Sequence, residues 1–518
     1  MEQIKQQKDS IYTCRLKEHF PFFGIGSLLY ALFYTFCLYR NASGITYPFF
    51  VAGTLCYFFF SMQKLGVPYK KGSIFYVVSI LLLGISNCLT NSPQLLLMNK
   101  CGIFLLSFVL MIHTVYMDQS WNLPKYFAAI AQTAASVLIS IFRPVSDMMF
   151  YFDAQKQEES DKKRYFLPVF IGFIITIPLL LFMTLLLASA DVVFSSMIRR
   201  IFQSFNFVIL FRIIIMISVV FFVSYGLYAA FCMKEVKEEV KDYRTFDALT
   251  AIIVTTALSM LYAVFSSIQI LYLFIGKMKL PEGYTYSEYA REGFFQLLAV
   301  CILNLFIVLV CLYLFRENTI LKIILTVISG CTFIMILSSA LRMIMYIRRY
   351  NLTFLRIFVL WSLAVIFLLM AGVTVFIYLN EFPLFKYVVT VITLFYIVLS
   401  FSHPDYWIAR YNLNPAHADY LDDYDIIDSR TYLNRLSTDA APVLLDKGKN
   451  MYISESILDS FASGAYEHEL YDYSDEGTNN AAQYKWIYDY YCKIKNKSKE
   501  MHIRNFNFSV YTAGKYLP

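Results

Sequence analysis

Eleven stretches free of Asp, Glu, Lys and Arg recur along this 518-residue chain, each near the length that a helix needs to cross a bilayer. At 1.5 Å per residue, about 20 apolar residues match roughly 30 Å of hydrocarbon. The stretches are 20–39, 45–62, 72–90, 101–116, 165–190, 213–232, 248–276, 293–315, 323–341, 357–379 and 387–402. Hydrocarbon offers backbone N–H and C=O groups no water, so such segments must be helical. The sequence therefore implies an all-α, polytopic transmembrane helix bundle of eleven or twelve spans. Aromatic residues crowd many of the ends, as an interfacial belt requires.

Composition agrees. Hydrophobic residues make up 58% and charged residues 16%, against roughly 45–50% and 25% in soluble domains. The net charge of +7 is dispersed over many loops, which excludes a nucleic-acid reading. Eight of the ten cysteines lie in apolar stretches, where they act as small hydrophobes. The lipid bilayer is the first partner implied, and no cofactor or metal is.

Three regions follow: a cytoplasmic N-terminal segment 1–19, the bundle 20–402, and an extramembrane C-terminal region 403–518. The first stretch follows Lys5, Lys8, Arg15 and Lys17 and is too long for a signal-peptide core, so it is expected to remain as an anchor. Residues 127–142 are ambiguous: uncharged, but rich in Ala, Ser, Thr and Gln. An amphipathic interfacial helix is expected there, with a twelfth span as the alternative.

Counting Lys and Arg in the short loops puts 20 on the N-terminal side and 12 on the other for eleven spans; twelve spans give 18 and 14. The positive-inside rule thus favours eleven spans and a cytoplasmic N-terminus. Arg342, Arg348, Arg349 and Arg356 dissent, because eleven spans put them outside. The side of the polar tail depends on this choice; the cytoplasm is the expectation.

Charges near the spans (Lys100, Arg212, Lys322, Arg342 and Lys386) sit at ends from which they can snorkel to headgroups. Asn87, Gln269, Gln296 and Asn304 lie deeper and are expected to hydrogen-bond neighbouring helices rather than line a cavity. Pro48, Pro168 and Pro178 read as kinks or end signals. His113 reads as an interfacial residue. In the tail, Asp422, Asp423, Asp425 and Asp428 read as an acidic surface, with a divalent-cation site as the alternative. Segment 471–480 reads as a linker, and 486–510 as a helix lying on the membrane or packing on the tail.

Three short patterns carry a resemblance. They are Leu187–Asp191 (LASAD) with Phe194; Tyr350-Asn-Leu-Thr353 with Arg356; and His403-Pro-Asp405, Ile408-Ala-Arg410-Tyr-Asn412, Tyr432-Leu433, Arg435-Leu-Ser437 and Asp439-Ala-Ala-Pro442. Across roughly 165–510 the chain resembles the bacterial multi-pass membrane family called domain of unknown function 4173, related to the 4153 group; that family more often has Gly where Asn351 stands. The resemblance implies a bacterial inner-membrane protein and carries over no catalytic, cofactor or metal residue. From the residues themselves, Asp191 is expected to cap a helix, Arg356 to face phosphates, and Asp439–Pro442 to mark a helix boundary. A shared face of Asp191, Arg356 and Arg410 is the sharper alternative.

The charge-poor interior and distinct tail favour a non-enzymatic scaffold or sensor that engages a protein partner through the tail. A transporter or flippase of a lipidic solute, using Asn304 and Gln296, is the first alternative. A membrane transferase using Asp191 and Asp423 is the second.

Overall fold

The computed structural model describes residues 11–41, 43–118, 121–156, scattered positions between 176 and 196, 207–233, 244–271, 286–414, 430–450, 452–464, 466 and 480–518. Helix α1 (Ile11–Glu18) leads into α2 (Phe20–Leu38), α3 (Thr46–Leu65), α4 (Ser73–Leu89) and α5 (Pro93–Val115). The bent pair α6 (Leu123–Ile139) and α7 (Arg143–Lys156) follows. Helices α8 (Phe207–Met233), α9 (Ala248–Gln269), α10 (Tyr286–Leu314), α11 (Thr319–Tyr350), α12 (Phe354–Tyr378) and α13 (Leu384–Phe401) complete the bundle. Ten of the eleven chargeless stretches are thus helices where the sequence predicts them. The remaining stretch, 165–190, lies largely outside the described residues, as do Pro168 and Pro178. Among the described residues, eight helices are long and apolar enough to cross a membrane by themselves. Of the others, α4 is only 17 residues long, and α3 carries polar Tyr, Thr, Ser and Gln side chains.

The chain is an all-α polytopic bundle, and its contacts sort the helix ends onto two faces. At the first face, Arg15 of α1 donates to Leu65 O at 2.7 Å and Thr13 to Cys232 O at 3.2 Å, gathering the ends of α3 and α8. Lys70, between α3 and α4, donates to His113 O and Tyr116 O at 2.5 Å, adding the end of α5. Tyr126 stacks on Phe385 at the start of α13. Glu317, between α10 and α11, pairs with Arg244 and accepts from Asn380 at 2.7 Å, adding the adjoining ends of α9 and α12. At the opposite face lie the α2–α3, α4–α5 and α11–α12 turns, the end of α13, and the tail.

The pair α6–α7 does not follow this alternation. It bends by 60°. Its start is held at the first face by the Tyr126 hydroxyl, 2.5 Å from Asp118 Oδ2. Its second arm returns there, with Tyr151 against Phe20 and Lys17 over Phe150. At the bend, Ser140 presses on α8 so closely that a Cβ on Gly226 would lie 3.1 Å from its carbonyl oxygen. The segment thus returns to the face it left.

Two features of the overall architecture differ from the sequence expectations. Arg342 does not snorkel: it is buried within α11, donates to Gln269 Oε1 at 3.2 Å, and lies where a Cβ on Gly293 would stand. Helix α11 runs nine residues past the expected span end, which takes Arg342 into the bundle's packing. The tail stands on the face opposite α1, so the N-terminus and tail cannot both be cytoplasmic.

The tail has a core of its own. Helices α14 (Pro404–Asn412), α15 (Ala441–Leu444), α16 (Glu455–Ser463), α17 (Asn480–Lys499) and α18 (Phe508–Gly514) enclose Ile408, Leu433, Leu444, Phe461, Ile487, Tyr490 and Ile494. Thr438–Ala440 forms one 3₁₀ turn before α15, at the predicted helix boundary. Helix α17 packs into this core, the second of the two arrangements considered for 486–510. Asp422, Asp423, Asp425 and Asp428 lie outside the described residues, as does 471–479 of the expected linker.

Candidate functional site: the seam between bundle and tail

Backbone groups at a turn between two helices lose their helical partners, so any tail seated there must supply replacements. At three turns this tail does so.

The first is the α11–α12 turn. Asn351 ends α11 with φ 68° and ψ 174°, a conformation that favours glycine. Arg356, stacked over the Tyr346 ring at 4.3 Å, donates to Tyr350 O at 2.5 Å and also to Asn351 O. Asn412 of α14 accepts from Leu352 N at 2.8 Å and donates to Leu352 O at 2.9 Å. The Tyr432 oxygen accepts from Phe354 N at 2.8 Å. The second and third sequence patterns therefore meet in space. Arg356 holds a strained turn instead of facing phosphates.

The second anchor is the α4–α5 turn. Asp439 is buried and accepts from the hydroxyls of Thr90 and Ser509 and from Asn91 N at 3.1 Å. At the third, the α2–α3 turn, Ile45 N donates to Phe506 O at 2.7 Å. Asn41 donates to Arg504 O at 2.9 Å, and Arg504 to Tyr39 O at 2.8 Å. Asn507 ties two turns together, donating to Ser43 O at 2.9 Å and Thr90 O at 3.0 Å while its Oδ1 caps α18.

Between these anchors a cleft of about 450 Å³ opens beside the end of α13, lined by His403, Tyr406, Trp407, Asp439, Phe508 and Thr512. His403 adopts a left-handed backbone (φ 47°, ψ 64°) to turn the chain from α13 into α14, a conformation costing an ordinary residue about 1–2 kcal/mol. Its Nδ1 lies 3.5 Å from Asp439 Oδ2. That hydrogen bond raises the imidazole pKa, against partial burial. Behind it, Asp405 is buried and accepts from Ser437 N at 3.1 Å; burial pushes its carboxyl up. Tyr490 closes the rear, donating to Ser437 O at 2.6 Å.

Although Ser509, His403 and Asp439 are adjacent, the Ser509 hydroxyl donates to the carboxylate. A nucleophile–base–orienter relay needs that hydroxyl on the imidazole. The carboxylate is committed to holding the seam.

The residues singled out from the sequence disperse. Asp191 is exposed and accepts from Val193 N at 2.6 Å, as a helix cap does. Arg410 lies over the Trp407 ring at 5.6 Å. Asn304 donates to Thr332 at 3.0 Å, and Gln269 accepts from Ser338 at 2.6 Å, both ties between helices. Gln296 faces outward, away from Asn304. His113 sits in the last turn of α5, the helix-end position expected of it, where it is buried and paired with Asp118 at 2.7 Å.

Sequence comparison adds one finding: residues 77–446 match the family described as a domain of unknown function (DUF4153), the group related to the 4173 family that the patterns resemble. The match contains the second anchor's Asp439, the whole first anchor and the His403, Tyr406 and Trp407 side of the cleft, while Phe508 and Thr512 lie beyond it. Neither curated proteins nor solved structures gave a match.

Proposed function

This chain belongs to the DUF4153 family, and from that premise we propose that it is a non-enzymatic membrane scaffold or sensor whose tail engages a protein partner. The observation that carries this reading is the three-anchor seam. A tethered tail would bind a partner independently of the bundle. A tail bonded to three inter-helix turns moves with them, so a shift of the helices changes the surface the tail presents, and the reverse also holds. Asn412, Tyr432 and Asp439, all in the third pattern, fit the same reading, because each bonds the tail to a turn of the bundle.

We also assign the first face to the cytoplasm. The loops that eleven spans assign to the side of α1 carry 20 Lys and Arg against 12, and the positive-inside rule then puts α1 on the cytoplasmic side of a bacterial cell membrane and the tail outside. Translocating a region of this size is compatible with the rule, because long domains cross largely regardless of charge.

A photo-crosslinker placed at Asp459, exposed on α16, tests the partner. The reading expects a discrete protein adduct that weakens when Asp439 is replaced. Absence of protein adducts from Asp459 and from other exposed positions of the tail would remove it. The transporter alternative draws no support from its two amides, because Asn304 is buried against Thr332 while Gln296 is exposed.

A further inference from the structure

A cavity of about 830 Å³ opens among α2, α3, α4, α5, α6 and α8, away from the seam cleft. It lies within the roughly 300–1,000 Å³ range of ligand sites. Its walls are mostly aromatic and aliphatic, and its two cations, Arg40 and Lys100, both belong to the tail-side half of the bundle. No acidic side chain lines it among the described residues. Lys100 sits seven residues into α5, about 10 Å along the axis, and its ammonium lies 5.9 Å from the Tyr47 ring centroid. A cation at such depth needs a counter-charge or water.

Beyond Lys100 the cavity runs alongside α5 past Ser107. Two hydroxyls along this stretch are turned to their own helices: Ser107 donates to Ile103 O at 2.7 Å and Thr54 to Phe50 O at 2.8 Å. Most of the remaining lining there is apolar, with Phe104, Phe108 and Met111 along α5. The result is a cationic mouth on the tail side over a mainly apolar slot, complementary to a molecule with one anionic end and one acyl chain.

We infer that this cavity is a binding site for an anionic phospholipid, with the phosphate at Lys100 and Arg40 and an acyl chain along α5. The site stands independently of the scaffold reading. It does adjoin the seam, because Asn41 lines the cavity and also donates to Arg504 O of the tail at 2.9 Å.

The test uses the full chain, purified in detergent and incubated with dioleoylphosphatidylglycerol or dioleoylphosphatidylcholine, with retained lipid counted by native mass spectrometry. One phosphatidylglycerol is expected to be retained in preference to phosphatidylcholine. Lys100→Met should weaken that retention about fivefold, the worth of roughly 1 kcal/mol per cation near an anionic lipid, and Lys100→Arg should restore it. Ser107→Trp, which fills the slot and leaves both cations, should also abolish it. Equal retention of the two lipids, or retention unchanged in both Lys100→Met and Ser107→Trp, would overturn the site. Failure to find a protein partner of the tail would leave these outcomes untouched.

Discussion

Asn412 holds the backbone of Leu352 from both sides, accepting from its N–H at 2.8 Å and donating to its carbonyl at 2.9 Å. One amide side chain thus fastens the first helix of the tail to the α11–α12 turn. Asn412→Ala leaves both backbone groups unpaired in a half-buried place. We expect a loss of about 1–3 kcal/mol, read as earlier thermal unfolding of the purified protein and faster proteolysis of the tail. Asn412→Asp, which accepts but cannot donate, should fall between.

Asp439 accepts from three donors at the seam in addition to its hydrogen bond with His403. Asp439→Ala removes the acceptor of the Thr90 and Ser509 hydroxyls and of the Asn91 N–H in a buried seam, although Ser509 keeps Thr438 Oγ1 at 2.5 Å. A cost of about 2 kcal/mol or more follows from roughly 1 kcal/mol for each group left unpaired. Asp439→Asn keeps an acceptor oxygen and should cost less. Hydrogen exchange at the α4–α5 turn and in α18 measures both.

Asn351 stands at φ 68°, in a region costing a non-glycine residue about 1–3 kcal/mol. Asn351→Gly relieves that cost and should hold or raise the melting temperature. Asn351→Val, β-branched, should lower it clearly. The glycine preferred here by the 4173 family has the same explanation.

The seam should tighten on acidification. The pKa of His403 is raised in the fold by its hydrogen bond to Asp439, so its contribution is full below the unfolded value of about 6.5 and is lost as pH rises through the folded value. Asp405, raised by burial, has the same sign over a lower range, from its unfolded value of about 3.9 up to its folded one. Lys493, pushed down to about 8 by burial, acts oppositely only above that pH. Proteolysis of the tail should therefore speed up as pH rises from about 6.5 through the raised folded value of His403. His403→Gln should flatten that dependence.

Local chemistry made the bundle readable. A chargeless apolar run states its own environment, and ten such runs became helices. The seam was not readable, because its bonds join distant segments: Thr90 and Asp439 are 349 positions apart. The third pattern did mark Asn412, Tyr432 and Asp439, but neighbouring residues in sequence say only that a helix begins or ends there. Arg342 misled for a related reason. Its accommodation depends on Gly293 of another helix, so from its own segment it looked like an end charge. The side of the tail was a matter of parity, and parity turned on whether α6–α7 crosses, which composition does not say but the contacts of Phe150 and Tyr151 with α1 and α2 do.

The account depends most on the N-terminal helix and the tail standing on opposite faces of the bilayer. Cys14, exposed on α1, and a cysteine introduced by Ile503→Cys at a position 92% exposed in the tail can each be the sole cysteine of a variant. A membrane-impermeant maleimide applied to intact cells should label the tail cysteine and reach Cys14 only after lysis. Labelling of both before lysis, or protection of both until lysis, would contradict it.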